Sequence, residues 1–491
     1  MTLLVAGFYS RATMLGRRLD SWHAARGAVA LLVTLSLAPE GAWAEPPDGE
    51  LRLMNEPLDY TDVPDAFEEG DPFDLDLSAR FDYTSIGGTV QREVTDGLDA
   101  VGGRQSEAFR DVAEWTWNRS VLDLGVSAGL YHDVAIYLGL PLVLSDARQL
   151  RYPGGRTRGE VDADLTVQPP GGTAAPLFSP QFDSPTRAGI DYLRAGLVLG
   201  IFNQYRDPHL PTWVLRIEGR FNVSPEMVAC RQGDSGTECL QPDGSGGLSV
   251  MPGGDPGVGR GTNALRVETR VSRRFRYIEP YMGIGFQVEW PGKASEFFTP
   301  GGSLSGYINT IPPILGELTA GVAIVPWEQR GQWQRLSIDL RFLGAYVSEG
   351  REYSPLFDAL GTSRSPYLAE PNLEGIPDGS ARLREVEFTG LTDVQSHGRI
   401  GGSVAVAFRA AQEVSFRGGF SLTYDTPYFL TYADACNPNE DPRGPDDPRK
   451  GRCRSGIINP HHRTAIDLPG NRFRLDGAWQ WGLSIGAVAR F

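Results

Sequence analysis

The sequence predicts an all-β protein, a transmembrane up-and-down antiparallel β-barrel of about twelve strands. Segments with an apolar residue at every second position recur along the chain, and this alternation is typical of a strand with one apolar face. Short and long connections alternate between the segments. After the N-terminal region no apolar run reaches about 18 residues, so the sequence predicts no transmembrane helix.

The N-terminus has the features of a secretory signal peptide. Arginines precede a short apolar core at residues 27–38, and Ala42-Trp43-Ala44 matches a small-residue cleavage site. The core is too short for a spanning helix, which needs about 20 residues. We therefore expect three regions: a signal peptide over 1–44, a periplasmic N-terminal segment over 45–72, and the transmembrane β-barrel with long extracellular loops over 73–491.

Twelve segments carry the alternation. In chain order they are residues 73–83, 122–130, 134–142, 193–201, 213–223, 265–271, 280–290, 318–324, 336–346, 400–408, 414–424 and 479–491. Several are longer than the five or six residues typical of soluble strands, whereas a tilted strand needs about 9–11 residues to cross a bilayer. This favours a membrane barrel over the alternative, a soluble multi-sheet protein with one solvated face.

The connections support the same fold. Those after strands 2, 4, 6, 8 and 10 are tight, whereas those after the odd-numbered strands are long and rich in Gly, Pro, Asp and Arg. Transmembrane barrels have short periplasmic turns and long external loops. With twelve strands, both chain ends are then expected on the short-turn side.

All four cysteines fall in two of the long loops. Cys230 and Cys239 lie between strands 5 and 6, and Cys436 and Cys453 between strands 11 and 12. In an oxidising compartment, two local pairs predict two disulfides. We expect them to hold loops that lack a hydrophobic core of their own.

The terminal segment carries a resemblance to a known class. Its alternate apolar residues, ending at Phe491, resemble the C-terminal signature of Gram-negative outer-membrane β-barrel proteins. The resemblance implies residence in the cell outer membrane, contact with its lipid, and recognition of Trp481, Leu483, Ile485 and Phe491 by the barrel-assembly machinery. Residues 129–144 (GLYHDVAIYLGLPLVL) and 191–221 also resemble hairpins of outer-membrane transporters of the phenol meta-pathway type.

The predicted inner face is charged. The register places both signs of charge inward, and the predicted pore-lining residues are Arg216, Glu218, Arg220, Arg266, Glu268, Arg270, Asp339 and Arg341. Such a wall is typical of a polar pore that selects a small solute, or of a lumen filled by paired charges. The formal net charge of −15 argues against a nucleic-acid partner.

Four motifs suggest other chemistry. Residues 233–236 (GDSG) imitate a protease nucleophile motif but are better interpreted as a turn. His461-His462 is a weak metal motif, because adjacent side chains point apart in an extended chain. The acidic stretch 434–447 lacks the ligand spacing of a calcium loop, and Ser396-His397 is an unconvincing hydrolase pair. We therefore expect no catalytic residues, no metal and no cofactor.

Three functions remain open. The charged inner face favours a channel or facilitator for a small solute. The large cysteine-bearing loops favour a structural or surface-recognition barrel with a plugged lumen. A membrane-embedded hydrolase is the third alternative, and we expect that the protein is not an enzyme.

Overall fold

The computed structural model describes residues 57–491 except 65, 69–70, 99–104, 168–171, 235, 245–246, 293–296, 300–303, 370–385, 441–443, 445 and 448–457. The predicted signal peptide, residues 45–56 of the predicted periplasmic segment, Ser235 and Cys453 lie outside the described residues.

Twelve long antiparallel strands form one closed sheet. They are β1 (Leu75–Leu98), β2 (Gln105–Tyr131), β3 (Val134–Arg151), β4 (Tyr192–Phe202), β5 (Thr212–Asn222), β6 (Thr262–Ser272), β7 (Ile278–Pro291), β8 (Leu315–Gln329), β9 (Gln334–Val347), β10 (His397–Arg409), β11 (Val414–Asp425) and β12 (Phe473–Arg490). Each strand pairs with the next in the chain, and β12 returns to pair with β1. The predicted fold class, a twelve-stranded up-and-down barrel, is confirmed.

The outer surface of the barrel is apolar. Large apolar residues recur at alternate positions along the strands and face away from the interior, for example Leu138, Ile284, Phe342 and Ile485, which are 54%, 55%, 52% and 71% exposed. So continuous a band of apolar surface is stable against lipid rather than water. Closure of the sheet gives the membrane-spanning part of each strand a hydrogen-bonded neighbour on both sides, which lipid cannot supply. The protein is therefore an outer-membrane type of β-barrel.

Five short connections join the strands at one end of the barrel. Three of them contain a non-glycine residue in the left-handed region: Asp133, Arg276 and Trp333, with φ of 54°, 53° and 55°. This conformation lets the chain reverse over a few residues, and it is uncommon for residues with a side chain. The short turns after the even-numbered strands therefore agree with the sequence prediction.

The strands β1, β2, β3 and β12 are longer than a membrane crossing requires. They contain 24, 27, 18 and 18 residues, whereas about 9–11 are needed. The prediction of a long loop between β1 and β2 is thus wrong. Both strands continue, still paired, until only residues 99–104 separate them. The paired extension projects beyond the membrane on the long-loop side.

The remaining elements lie mostly in the long connections. The helices are α1 (Arg158–Leu165), α2 (Phe357–Gly361), α3 (Pro366–Ala369) and α4 (Thr464–Asp467), with a 3-10 turn at Arg330–Gln332. Short strands occur at Ala66–Glu68, Asp71–Phe73, Thr166–Val167, Ala175–Pro176, Phe182–Asp183, Arg187–Ile190, Cys230–Gly233, Gly236–Pro242, Leu248–Pro252, Gly350–Glu352, Thr392–Val394 and Tyr428–Phe429. Among the described residues, no helix has the length and apolar character needed to cross a membrane.

The long connections pack together into a cap, which we define as the described residues of 152–191, 223–261, 292–314, 348–396 and 426–472. One apolar cluster joins the strand extensions to three of these connections and includes Val90, Leu150, Leu165, Leu360 and Ile466, all at most 2% exposed. A second cluster, around Phe298, joins three connections. The expectation that the loops lack a core is therefore wrong: the extended strands give them a surface to pack against.

A buried ion pair fixes the centre of the cap. Arg187 Nη2 donates to Asp358 Oδ1 over 2.5 Å, and their side chains are 0% and 4% exposed. Asp358 also accepts from the Ser184 hydroxyl (2.7 Å) and from the Cys230 N–H (2.9 Å). Burial alone would raise the pKa of the Asp358 carboxyl, but the charge and hydrogen bonds of Arg187 and the Cys230 N–H hold that pKa below its ordinary value. Three connections therefore meet at one carboxylate.

Candidate functional site in the barrel interior

The inner wall carries charges in ion-paired ladders. Consecutive inward positions on β5 read Arg216, Glu218 and Arg220, and the register places Arg216 opposite Glu268 and Glu218 opposite Arg266 on β6. Because the side-chain period of a strand is two, this register brings opposite charges together on one face.

Most of the predicted pore-lining residues make contacts with one another. Arg220 Nε lies 2.8 Å from Glu218 Oε1, and Arg270 Nε lies 2.9 Å from Glu268 Oε1. On β9, Arg341 Nη2 lies 2.8 Å from Asp339 Oδ2. Such pairs offset the cost of placing charges in the interior.

Other interior residues were not singled out from the sequence. Glu317 on β8 binds Arg266, and the Tyr137 hydroxyl on β3 donates to Glu218 over 2.8 Å. The Tyr281 hydroxyl on β7 donates to Asp339, and the Tyr281 ring stacks on the ring of Tyr60. The sequence could have identified these residues, because each is a polar or aromatic residue at an inward position of the alternating pattern.

A stretch of the N-terminal region, residues 57–64, lies among these interior side chains; we call it the inner segment. Asp59 Oδ2 lies 2.6 Å from Arg417 Nη1, and the Tyr60 ring stacks on Tyr281 with centroids 4.2 Å apart. Thr61 Oγ1 is 2.7 Å from Ser272 Oγ. The inner segment thus contacts β6, β7 and β11 from inside the barrel.

Further contacts anchor the same stretch. The Leu58 N–H donates to Glu279 over 3.1 Å, and Arg270 Nη1 donates to the Tyr60 carbonyl over 2.9 Å. The guanidinium groups of Arg270 and Arg341 lie 4.7 and 5.0 Å from the Tyr60 ring centroid. The segment predicted as periplasmic over 45–72 therefore includes a part that occupies the interior of the barrel; the location of the rest stays a prediction.

An interior chamber of about 410 Å³ lies beside the inner segment. Asp59 and Tyr60 of that segment form part of its lining. The inward-facing wall residues that complete it come from β1, β5, β6, β9, β10, β11 and β12: Arg80, Asp82, Thr84, Arg216, Arg270, Arg341, Ser403, Ala405, Arg417, Gly419, Ser421, Gly482, Ser484 and Gly486. The chamber is therefore a polar space with more guanidinium than carboxylate groups on its wall.

A second cavity of about 260 Å³ lies at the short-turn end. It is lined by Thr61, Asp62 and Val63 of the inner segment and by turn residues that include Asp133 and Glu413. The inner segment contributes to the walls of both cavities, so it lies between the interior chamber and the short-turn opening.

The cysteines and the terminal segment occupy the predicted regions. Cys230 and Cys239 form a disulfide across a hairpin in the cap, where Gly233 pairs with Gly236 at the GDSG sequence. Cys436 is disulfide-bonded, and Cys453 lies outside the described residues. The predicted assembly-signal residues form part of the apolar outer surface: Trp481, Leu483, Ile485 and Phe491. Their recognition by assembly machinery stays a prediction.

The two histidine motifs lie in and near the cap. His461 lies 3.7 Å from Asp393 and packs on Tyr307, while His397 stacks on Tyr428 with ring centroids 3.8 Å apart. Within the described part of the chain, no group of three or more His, Cys, Asp or Glu side chains is placed to hold a metal ion.

Comparison with known proteins finds likeness only among solved structures. No protein-family model and no curated protein matches the chain. A COG4313 outer membrane channel from Pseudomonas putida F1 has 8% sequence identity and a TM-score of 0.36, covering 91% of this chain and 100% of that one. A Pseudomonas aeruginosa FadL homologue has 10% identity and a TM-score of 0.29, covering 89% and 93%.

A third neighbour is an enzyme. The outer membrane protease OmpT from Escherichia coli has 8% identity and a TM-score of 0.25, covering 85% of this chain and 97% of that one. Likenesses this weak carry no conclusion about activity. The strand pairing and the apolar outer surface of the chain itself are what make it an outer-membrane type of β-barrel.

Proposed function

We propose that this protein is a channel or facilitator that carries a small solute across the outer membrane. The observation that carries the proposal is the polar interior chamber of about 410 Å³, which the inner segment separates from the short-turn opening. A barrel that served only as a scaffold would gain more stability from a tightly packed interior than from a charged space.

Passage through the barrel requires the inner segment to move. Its interior contacts are hydrogen bonds, aromatic stacking, apolar packing of Leu58 and two ion pairs, Asp59–Arg417 and Asp62–Arg490. Among the described residues no covalent bond joins the segment to the wall. The Asp59 and Arg417 side chains are 37% and 34% exposed, and such a pair contributes only about 0–1 kcal/mol. Because these contacts are all non-covalent, we propose that the segment leaves the lumen while the barrel stays folded.

Conductance and solute flux test the proposal together. Protein purified from outer membranes would be reconstituted into planar bilayers for current recording and into liposomes for efflux of a small sugar such as arabinose. Steady channels with sugar efflux are expected. A silent bilayer and tight liposomes, with a barrel that still shows the heat-dependent gel mobility of a folded outer-membrane protein, would contradict the proposal.

A second function is favoured by the cap. Its apolar clusters and its buried Arg187–Asp358 pair support an ordered structure rather than a set of solvated loops. Such a surface suits recognition of a partner outside the cell, with the barrel as its anchor. This alternative predicts a silent barrel whose cell-surface binding is lost when cap residues 223–261 are replaced by a short linker.

A further inference from the structure

The five arginines that line the interior chamber differ in their partners. Four of them lie within 3.1 Å of a carboxylate oxygen: Arg80 with Asp82 and Asp123, Arg270 with Glu268, Arg341 with Asp339, and Arg417 with Asp59 and Asp339. Arg216 has no carboxylate oxygen within 4.0 Å among the described residues. It is therefore the chamber arginine whose charge the wall leaves least compensated.

The nearest acids are engaged elsewhere. Glu268, directly opposite Arg216 on β6, turns both of its oxygens to Arg270 at 2.9 Å. Glu218, two residues along β5, accepts from Arg220 and from the Tyr137 hydroxyl, each over 2.8 Å. Both carboxylates are thus held away from Arg216 by other donors.

An aromatic ring holds Arg216 in place instead. Its guanidinium carbon lies 4.9 Å from the centroid of the Tyr137 ring, a cation–π contact, and Arg216 also makes a side-chain hydrogen bond with Tyr137. A guanidinium has five N–H donors, so this bond does not use them all. Tyr137 reaches this position because Gly196 faces it across the β3–β4 pair; a Cβ there would lie 2.3 Å from the ring. The glycine therefore makes room for the ring that supports the arginine.

The rest of the chamber wall suits an anion. Its lining contains five arginines against two aspartates, Asp59 and Asp82. Glu268, Asp339 and Asp123 do not line the space but pair with four of the arginines, so the uncompensated charge is that of Arg216. Thr84, Ser403, Ser421 and Ser484 add hydroxyl groups from β1, β10, β11 and β12. Guanidinium and hydroxyl donors facing a space of about 410 Å³ are complementary to a carboxylate on a small organic molecule.

We propose that Arg216 binds the carboxylate of a small organic acid in this chamber, with Arg270 beside it and the Tyr137 ring behind it. The inference rests on the proposed function in one respect, since it names the class of solute that the barrel carries. The planar fork of a guanidinium donates two parallel hydrogen bonds to a carboxylate, which a neutral alcohol of the same size cannot accept in the same way.

Calorimetric titration of the protein purified in detergent tests the site directly. Benzoate is the probe and benzyl alcohol is its neutral match. The native barrel is expected to bind benzoate at least tenfold more tightly than benzyl alcohol, R216Q is expected to lose that preference, and R216K to keep part of it. R399Q is the control, because Arg399 pairs with Asp425 and does not line the chamber; it should bind benzoate within about twofold of the native protein.

Two results would overturn the inference: benzoate and benzyl alcohol binding equally to the native barrel, or R216Q binding benzoate as tightly as the native protein does. Folding of each variant is checked by heat-dependent gel mobility, and R216K keeps the test valid if R216Q does not fold. Benzoate binding through Arg216 in a barrel that passes neither current nor sugar would support the site and contradict the channel. A conducting barrel with no preference for benzoate would support the channel and contradict the site.

Discussion

The ring of Tyr60 stacks on the ring of Tyr281, with centroids 4.2 Å apart and 28° between the ring planes. The two residues come from the inner segment and from the wall of the barrel, more than 200 positions apart in the chain. Tyr281 in turn donates to Asp339, which also binds Arg341 and Arg417. One aromatic contact thus connects the inner segment to the charged wall. Removing the Tyr60 ring is therefore the most direct way to weaken the attachment of that segment.

Replacing Tyr60 with alanine is expected to increase conductance. The change removes the stack on Tyr281 and the contacts with Arg270 and Arg341, each worth about 0.5–1.5 kcal/mol. The measurement is single-channel current in planar bilayers. Tyr192→Ala serves as control, because Tyr192 contacts Arg220 rather than the inner segment. Equal effects of the two substitutions would count against a gating role for Tyr60.

Replacing Asp59 with asparagine is expected to have a smaller effect in the same direction. The substitution keeps the size of the side chain but removes its charge pairing with Arg417, 2.6 Å away. A partly exposed pair of this kind is worth about 0–1 kcal/mol, so the open fraction should rise by about fivefold at most. Asp425→Asn, which breaks a pair with Arg399 away from the segment, is the control. A change beyond tenfold would indicate that Asp59 has another role.

Replacing Asp358 with alanine is expected to destabilise the cap by about 3–5 kcal/mol. The change would leave the fully buried Arg187 charge without its carboxylate. Limited proteolysis and hydrogen exchange of residues 182–191 and 354–362 would show the loss. Arg364→Ala is the control, because its contact with Glu238 is 3.4 Å long and Arg364 is 72% exposed. If both variants were equally protected, the ion pair would not be central to the cap.

The cap is expected to become less stable as pH rises from 5 to 8. Burial raises the pKa of Asp467 to about 7, although the Arg463 and Ala433 N–H groups oppose the shift. Burial and the neighbouring Asp467 raise the pKa of Asp393 to about 6, and Arg351 opposes that shift. The folded-state pKa values of these two carboxyl groups lie above the unfolded value of about 3.9, so the folded protein binds their protons more tightly. This contribution to the free energy of unfolding is fully present below about pH 3.9 and is lost as pH rises through about 6 to 7.

Hydrogen exchange of residues 458–472 at pH 5 and pH 8, corrected for the intrinsic exchange rate, measures this loss. Asp467→Asn is expected to reduce the difference between the two pH values, because the variant has no carboxyl group to titrate at this position. An undiminished difference in that variant would show that other groups cause the pH dependence.

The barrel was predictable from the sequence because lipid imposes its pattern directly. Apolar residues such as Ile284 and Ile485 must face outward at every second position, so period-two alternation identified all twelve strands. The extended parts of β1 and β2 were missed because they leave the lipid. There Val90 and Val112 face the core of the cap, and the outward positions no longer need to be apolar.

The interior was predictable in part. Alternation assigned Arg216, Glu268 and Arg341 to the inner face, but which charge pairs with which depends on side-chain directions that the register alone leaves open. The inner segment could not be located, because residues 57–64 have no periodicity and their position depends on contacts distant in the chain, such as Asp59 with Arg417. The cap depends on similar distant contacts, such as Arg187 with Asp358.

Movement of the inner segment is the central claim, and an engineered disulfide between the segment and the wall tests it most directly. The Thr61 and Ser272 hydroxyl oxygens lie 2.7 Å apart, so cysteine side chains at these two positions are directed at one another, and T61C with S272C is the pair to cross-link. The single variant T61C and the native protein, both treated with the same reductant, control for reduction of the native disulfides.

Conductance of the double variant, oxidised and then reduced in the same bilayer, is the measurement. We predict little or no current while the cross-link holds the segment inside the barrel, and native current after reduction, with both controls unchanged. Equal current before and after reduction, with the cross-link verified by mass spectrometry, would show that solutes do not depend on release of residues 57–64 and would contradict the account.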